Sequence, residues 1–217
     1  MKSTQKPSLS IPTVKYIKAL HSNDLDKYFS LCGLARSFTA DKMLKEQAHS
    51  KLFKIRVSLE KSINYTLDSA KISLEEKVKC VLSNEFYGMS KKQGVSLRLP
   101  LKSCEPTSLC SNACYAHDVL DATPFAVIRG AINGWLARYY EKSGKENQQY
   151  ILHCLAPHSK RAIKKAKSEL KKLPDHFQRR AYIRFSHVGE IVDYPNFANA
   201  LAKQVELASN GMVDCVV

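Results

Sequence analysis

Apolar positions recur at three- and four-residue spacing through the first part of the chain. Val14, Ile17, Leu20, Leu25, Tyr28 and Leu31, with lysines between them, predict helix from Thr13 onward. A second helix is predicted over residues 41–64, carrying Met43, Leu44, Leu52, Ile55, Val57 and Leu59. Ser73 followed by Glu76 has the spacing of a capping box and predicts a helix through Val81 and Leu82. Gly88 and Gly94 then punctuate a change of character, and residues 95–101 alternate without helix caps, which predicts a strand.

Thr123-Pro124 is a good helix start, because proline is tolerated in the first turn. Phe125, Val127, Ile128, Ile132, Trp135, Leu136 and Tyr139 give that helix a broad apolar face to about Lys142, where Ser143-Gly144-Lys145 ends it. Residues 150–155 read as a helix turn in preference to a short strand, and residues 158–173 as a second, very basic helix that Pro174 breaks. Residues 181–188 are rich in strand formers, with Ile183, Phe185 and His187 on one side, and Gly189-Glu190 closes the run. Pro195 starts a helix with Phe197, Leu201, Val205 and Leu207, Asn210-Gly211 caps it, and residues 212–217 begin another strand.

Strand, helix, strand, helix, strand points to parallel βα units. The expected fold class is α/β, a partial parallel (β/α) barrel-like sheet with an N-terminal helical layer. Residues 1–12 are expected to be a flexible tail, 13–92 a helical region and 93–217 a βα metal-binding region. A βα unit takes about 30 residues, so three or four strands fit from residue 95 onward. The expectation is a barrel truncated at the C-terminus or a reduced half-barrel that pairs with a partner, which leaves an oligomer open.

Composition changes this picture in one respect. The 217 residues are 44% hydrophobic and 25% charged, ordinary globular values, but the formal net charge is +14. Such a balance favours polyanions through phosphate neutralisation and counterion release. The basic stretch with Lys160, Arg161, Lys164, Lys165, Lys167, Lys171 and Lys172 against Glu169 is the candidate nucleic-acid surface; a solvated outer helix face is the other reading. The N-terminal stretch is polar, and no apolar run approaches the ~20 residues that cross a bilayer, so no membrane partner and a cytoplasmic location are expected. In that compartment clustered cysteines serve more often as ligands than as disulfides.

Three of the seven cysteines, Cys104, Cys110 and Cys114, share one short segment after the strand at 95–101. Their Cys-x5-Cys-x3-Cys spacing gives three soft thiolates in one loop, which suits a metal or metal cluster. Three thiolates can hold three irons of a [4Fe–4S] cluster and leave the fourth iron open. Zinc competes, since His117 follows Cys114 by three residues and would complete a Cys3His site. Reduced thiols without metal are the remaining alternative. Cys32, Cys80, Cys154 and Cys215 stand alone in apolar patterns and read as core residues. Trp135 reads as core, and His187 as a packed or hydrogen-bonded histidine. Neither a dinucleotide-binding glycine pattern, a phosphate loop nor a nucleophile elbow occurs.

A cysteine-rich loop after the first strand, a helix behind it, and a second strand ending in Gly-Glu resemble the start of a radical S-adenosylmethionine enzyme. The Cys-Tyr-Ala at residues 114–116 also resembles phage- and plasmid-encoded proteins with this wider cysteine spacing, the closer of the two resemblances, over about residues 95–217. The resemblance implies Cys104, Cys110 and Cys114 as cluster ligands and Gly189 and Glu190 as the turn that receives the amino group of S-adenosylmethionine. Tyr115 and His117 would then contact a ligand beside the cluster or order the loop. The substrate is not legible.

Overall fold

The computed structural model describes residues 14–36, 42–83, 85–90, 94–100, 123–172, 180–185 and 191–216. An N-terminal helical layer comprises α1 (Val14–Leu20), α2 (Ser22–Arg36), α3 (Lys42–Ser69) and α4 (Leu74–Leu82). The hairpin β1 (Tyr87–Ser90) and β2 (Gly94–Leu97) follows. Then come α5 (Pro124–Lys142), α6 (Lys145–Leu170), β3 (Ala181–Arg184), α7 (Pro195–Ser209) and β4 (Val213–Val216), with a 3-10 turn at Ile191–Asp193 before α7.

Several helix ends follow from local chemistry that the sequence displays. Ser73 Oγ accepts from the Glu76 N–H at 3.2 Å while the Glu76 carboxylate accepts from the Ser73 N–H at 2.9 Å, a reciprocal capping box. Thr123 caps α5, its hydroxyl accepting from the Ala126 N–H, with Pro124 at the first helical position. The left-handed Asn210 (φ 54°) and Gly211 (φ 69°) end α7. The start of α7 lacks a side-chain cap of its own. Instead Glu141 of α5 accepts from the Phe197 N–H at 2.9 Å and from Asn196 Nδ2 at 2.7 Å, which pins α7 to α5.

The strands form one sheet in the order β1-β2-β3-β4. β1 and β2 are antiparallel, whereas β2–β3 and β3–β4 are parallel, so the expected βα units are present from β2 onward. The class is mixed α/β and mostly helical. Among the described residues the sheet is small and open, and no barrel is seen. Two differences from the sequence expectation have simple causes. β1 lies in a stretch read only as glycine punctuation, because four residues containing Gly88 carry too little alternation to signal a strand. α6 runs unbroken through Pro157, where two helices are expected. Ile151, Leu155, Ser159, Ala162, Ile163 and Ala166 keep one buried stripe across the proline, and Pro157 itself faces solvent.

α6 packs on β2 and β3 and α7 on β4, covering one face of the sheet. Ala181, Ile183 and Val213 point into that layer and are buried, as are Tyr87, Val95 and Leu97. α5 lies between α3 and α7, and its Trp135 is enclosed, as expected of a core residue. No helix among the described residues is long and apolar enough to cross a membrane.

Candidate functional site

In open parallel sheets, ligands collect beyond the carboxyl ends of the strands. Here the chain leaves β2 through Arg98, Leu99 and Pro100, and α5 grips those three residues. Asn133 Nδ2 donates to the Arg98 carbonyl at 2.9 Å and to the Phe86 carbonyl at 3.1 Å, tying both hairpin strands to the helix. Gly130 and Gly134 let the helix come close. A Cβ on Gly130 would meet Leu99 O at 3.0 Å, and one on Gly134 would meet the Pro100 ring at 2.4 Å. The cysteine-bearing segment 101–122 thus departs beside Gly134 and returns at the Thr123 cap of the same helix. Eleven helical residues separate those points, roughly 16 Å at 1.5 Å per residue.

Beneath this junction α3 carries a polar stripe, buried at Arg56, Glu60 and Asn64 and reaching the surface at Asp68. Arg56, Glu60, Asn64 and Asp68 recur at four-residue spacing on the helix face that also holds Leu52, Leu59, Ile63 and Leu67. Arg56 Nε donates to Glu60 Oε1 at 2.7 Å, and both residues are 0% exposed. The guanidinium also lies 5.6 Å from the centre of the Tyr28 ring, and it abuts Gly130 of α5. Farther along, Asp68 accepts from Trp135 Nε1 and from Arg138 Nη2, each at 2.7 Å. Those bonds occupy the one carboxylate of a concavity of about 350 Å³ at the meeting of α3, α5 and α6. Tyr194, the residue before α7, feels Glu60 from the other side. Burial, with Asp193 and Glu60 adding to it, pushes the Tyr194 phenol up to about 12. This stripe was legible as a four-residue repeat of polar residues inside an apolar face, but the lysines on the outer faces of the same helix obscure it.

The second face of the sheet has a different character. Gly88, Ser96, Arg184 and Val216 are register partners across the four strands, so they form one transverse row. Tyr182 and Asp214 form the next row toward the amino ends of β3 and β4. Over Gly88 stand two guanidinium groups: a Cβ there would lie 3.3 Å from Arg129 Nη1 and 3.6 Å from Arg98 Nε. Burial lowers the affinity of Arg129 for its proton, and Glu85 partly offsets this. Arg129 Nε is buried with no hydrogen-bond partner among the described residues. Over β3 and β4 the face opens into a concavity of about 450 Å³ lined by Arg180, Tyr182, Asp214 and Val216.

The residues expected to hold metal and cofactor, Cys104, Cys110, Cys114, Tyr115, His117, Gly189 and Glu190, lie outside the described residues, as does His187. The structure does, however, fix where their segments attach. Segment 101–122 begins past the carboxyl end of β2, and segment 186–190 past that of β3, its parallel neighbour through Ser96 and Arg184. The other four cysteines form no disulfide among the described residues, Cys32 and Cys80 being buried and Cys154 and Cys215 half-buried. Burial pushes the Cys80 and Cys215 thiols up to about 11, so they remain protonated near neutral pH. No cluster of three or more potential metal ligands occurs among the described residues. On α6 and just past its end, Lys160, Arg161, Lys164, Lys171 and Lys172 are exposed. Lys165 pairs with Glu85 at 2.6 Å, Lys172 with Glu169, and Arg161 Nη2 with His158 Nδ1 at 3.1 Å.

No family model matches the chain, and neither a curated protein nor a solved structure matches it.

Proposed function

We propose that the chain is a cysteine-ligated metalloprotein of the radical S-adenosylmethionine-like kind, with Cys104, Cys110 and Cys114 holding a [4Fe–4S] cluster. The observation that supports this reading is the topology from β2 onward. Consecutive parallel strands β2, β3 and β4 are joined by helices, and the cysteine segment opens at the carboxyl end of the first of them. That is where the beginning of a (β/α) barrel carries its ligands. The donor set suits the group, because three thiolates satisfy three irons and leave one coordination position free. Gly189 and Glu190, on the segment after β3, would receive S-adenosylmethionine, with Tyr115 beside it. Bound there, the cluster and S-adenosylmethionine supply one-electron chemistry that ends in hydrogen abstraction from a substrate. The chain's own part is to hold the cysteine segment at both ends through Asn133, Gly134 and Thr123 and to bury the ground behind it.

Oxygen-free purification tests this. A brown protein with about four irons per chain, colourless after Cys110→Ala, is the expected result. Colourless wild-type protein with no iron overturns it.

The second reading is a zinc-stabilised nucleic-acid-binding protein using Cys104, Cys110, Cys114 and His117. The exposed Lys160, Lys164 and Lys171 on one side of α6, which form no ion pair among the described residues, favour it. One zinc per chain and steeply salt-dependent DNA or RNA binding would select this reading over the first.

A further inference from the structure

We infer that the outer face of α6, with the Glu85 corner before β1, is a surface for the phosphate backbone of duplex nucleic acid. Arg161 and Lys165 seat one phosphate beside Glu85, and Lys160 and Lys164 hold its neighbours. The inference rests on the second reading of function and narrows it to a place, a partner and a competing carboxylate.

Four observations carry it. First, the cations share one side of the helix. At about 100° per residue, Lys160, Arg161, Lys164, Lys165 and Lys167 fall within an arc of roughly 160°. The buried stripe of Ile151, Leu155, Ala162, Ile163 and Ala166 lies opposite, and α6 carries no carboxylate between Pro157 and Ser168.

Second, cations converge on a single acid. His158, Arg161 and Lys165 line one shallow notch together with Glu85, Phe86 and Tyr87. Lys165 Nζ lies 2.6 Å from Glu85 Oε1, and Arg161 Nη2 lies 3.1 Å from His158 Nδ1. Glu85 also attracts Arg161 and, from α5, Arg129. One carboxylate thus stands among three cations, and the positive charge left over suits a phosphate at the mouth of the notch.

Third, Glu85 holds its place loosely. The side chains of Lys165 and Glu85 are 40% and 56% exposed, a setting in which an ion pair contributes little, so a phosphate can displace the carboxylate. Fourth, the surface lacks what other partners need. The apolar stripe of α6 is turned into the sheet and leaves no apolar face to enter a lipid surface. Among the described residues no exposed large apolar side chain lies on α6, so the apolar centre of a protein interface is missing. No Tyr, Phe or Trp occurs between Pro157 and Lys172, hence no stacking platform for the bases of a single strand. Contact with a duplex backbone requires none of these.

The test is fluorescence anisotropy of the full chain with a short fluorescein-labelled duplex across a salt series. Circular dichroism and melting of each variant show that it has folded. The Lys160→Gln, Lys164→Gln double variant is expected to lower the slope of log affinity against log salt by about two, and Arg161→Gln by about one. Glu85→Gln removes the competing carboxylate and is expected to tighten binding about 2- to 5-fold. Duplex binding unchanged in slope and affinity in every variant overturns the inference and leaves the second reading standing, with the contact elsewhere. Unchanged affinity in Glu85→Gln alone overturns the seat at the notch. No duplex binding at low salt overturns both the inference and the second reading. Tighter binding to a single strand, to polyglutamate or to phosphatidylserine vesicles than to the duplex, at equal anionic charge, overturns the choice of partner.

Discussion

The molecule handles buried charge in two opposite ways. In the helical layer, Arg56 is sealed at 0% exposure with Glu60 one turn away, opposite signs in contact. At the sheet, the guanidinium groups of Arg98 and Arg129 stand over Gly88, both only half-buried. Sealed charges must be matched within the chain, because their desolvation is otherwise uncompensated. Half-open charges keep part of their hydration and need no such sealed match. The first region seals a matched pair, and the second leaves its guanidinium groups partly open to solvent.

Breaking the matched pair should produce the largest effect. Glu60→Ala leaves a cation in the interior and should cost about 3–5 kcal/mol in urea unfolding, whereas the double change Arg56→Met, Glu60→Leu should be close to neutral. A double variant as unstable as the single one would mean that the pair itself, rather than its balance, supports the layer. Next comes the contact between α5 and the end of β2. Gly134→Ala places a methyl 2.4 Å from the Pro100 ring and should destabilise by about 1–3 kcal/mol. Under the metal reading it should also lower iron occupancy. Asn133→Ala frees two buried carbonyls and should cost about 1–3 kcal/mol by thermal or chemical unfolding.

By contrast, Arg129→Gln should leave stability unchanged or raise it slightly, because a half-buried cation with desolvation against it is removed. A large loss there would erase the distinction between the two regions.

The smallest effect is a pH dependence. Burial lowers the His21 pKa below 6.5, against the attraction of Asp24, and His21 Nε2 lies 3.3 Å from Thr66 Oγ1 of α3. The unfolded chain therefore binds the proton more readily than the folded one. Stability should be fully present above about pH 6.5 and fall as the pH drops from there toward the lower folded value. His158, lowered by burial and by Arg161, acts in the same direction. His21→Gln should flatten the fall in a pH series of melting temperatures.

Legibility in the sequence divides along the same line of local against long-range cause. The Ser73–Glu76 box, Thr123-Pro124, the Pro195 start and the Asn210-Gly211 stop were readable because a few neighbouring residues decide each of them. The parallel units from β2 to β4 were readable because Ile183 and Phe185 alternate with polar residues between two clear helices. β1 was not, since its identity as a strand rests on pairing with β2 rather than on its own pattern. Nor was the meeting of Arg98 and Arg129, which come from a strand exit and a helix. Only the gap at Gly88 shows them side by side. The cysteine spacing was plain, and its segment lies outside the described residues, so the structure speaks to its anchorage alone.

That anchorage has a consequence of its own. Since a single rigid rod carries both the departure point at Pro100 and the re-entry point at Thr123, the ends of the cysteine segment move as one body. The entropy of bringing those two ends within reach of each other is met when the protein folds. Under the metal reading, ligand binding would not have to meet that closure entropy again.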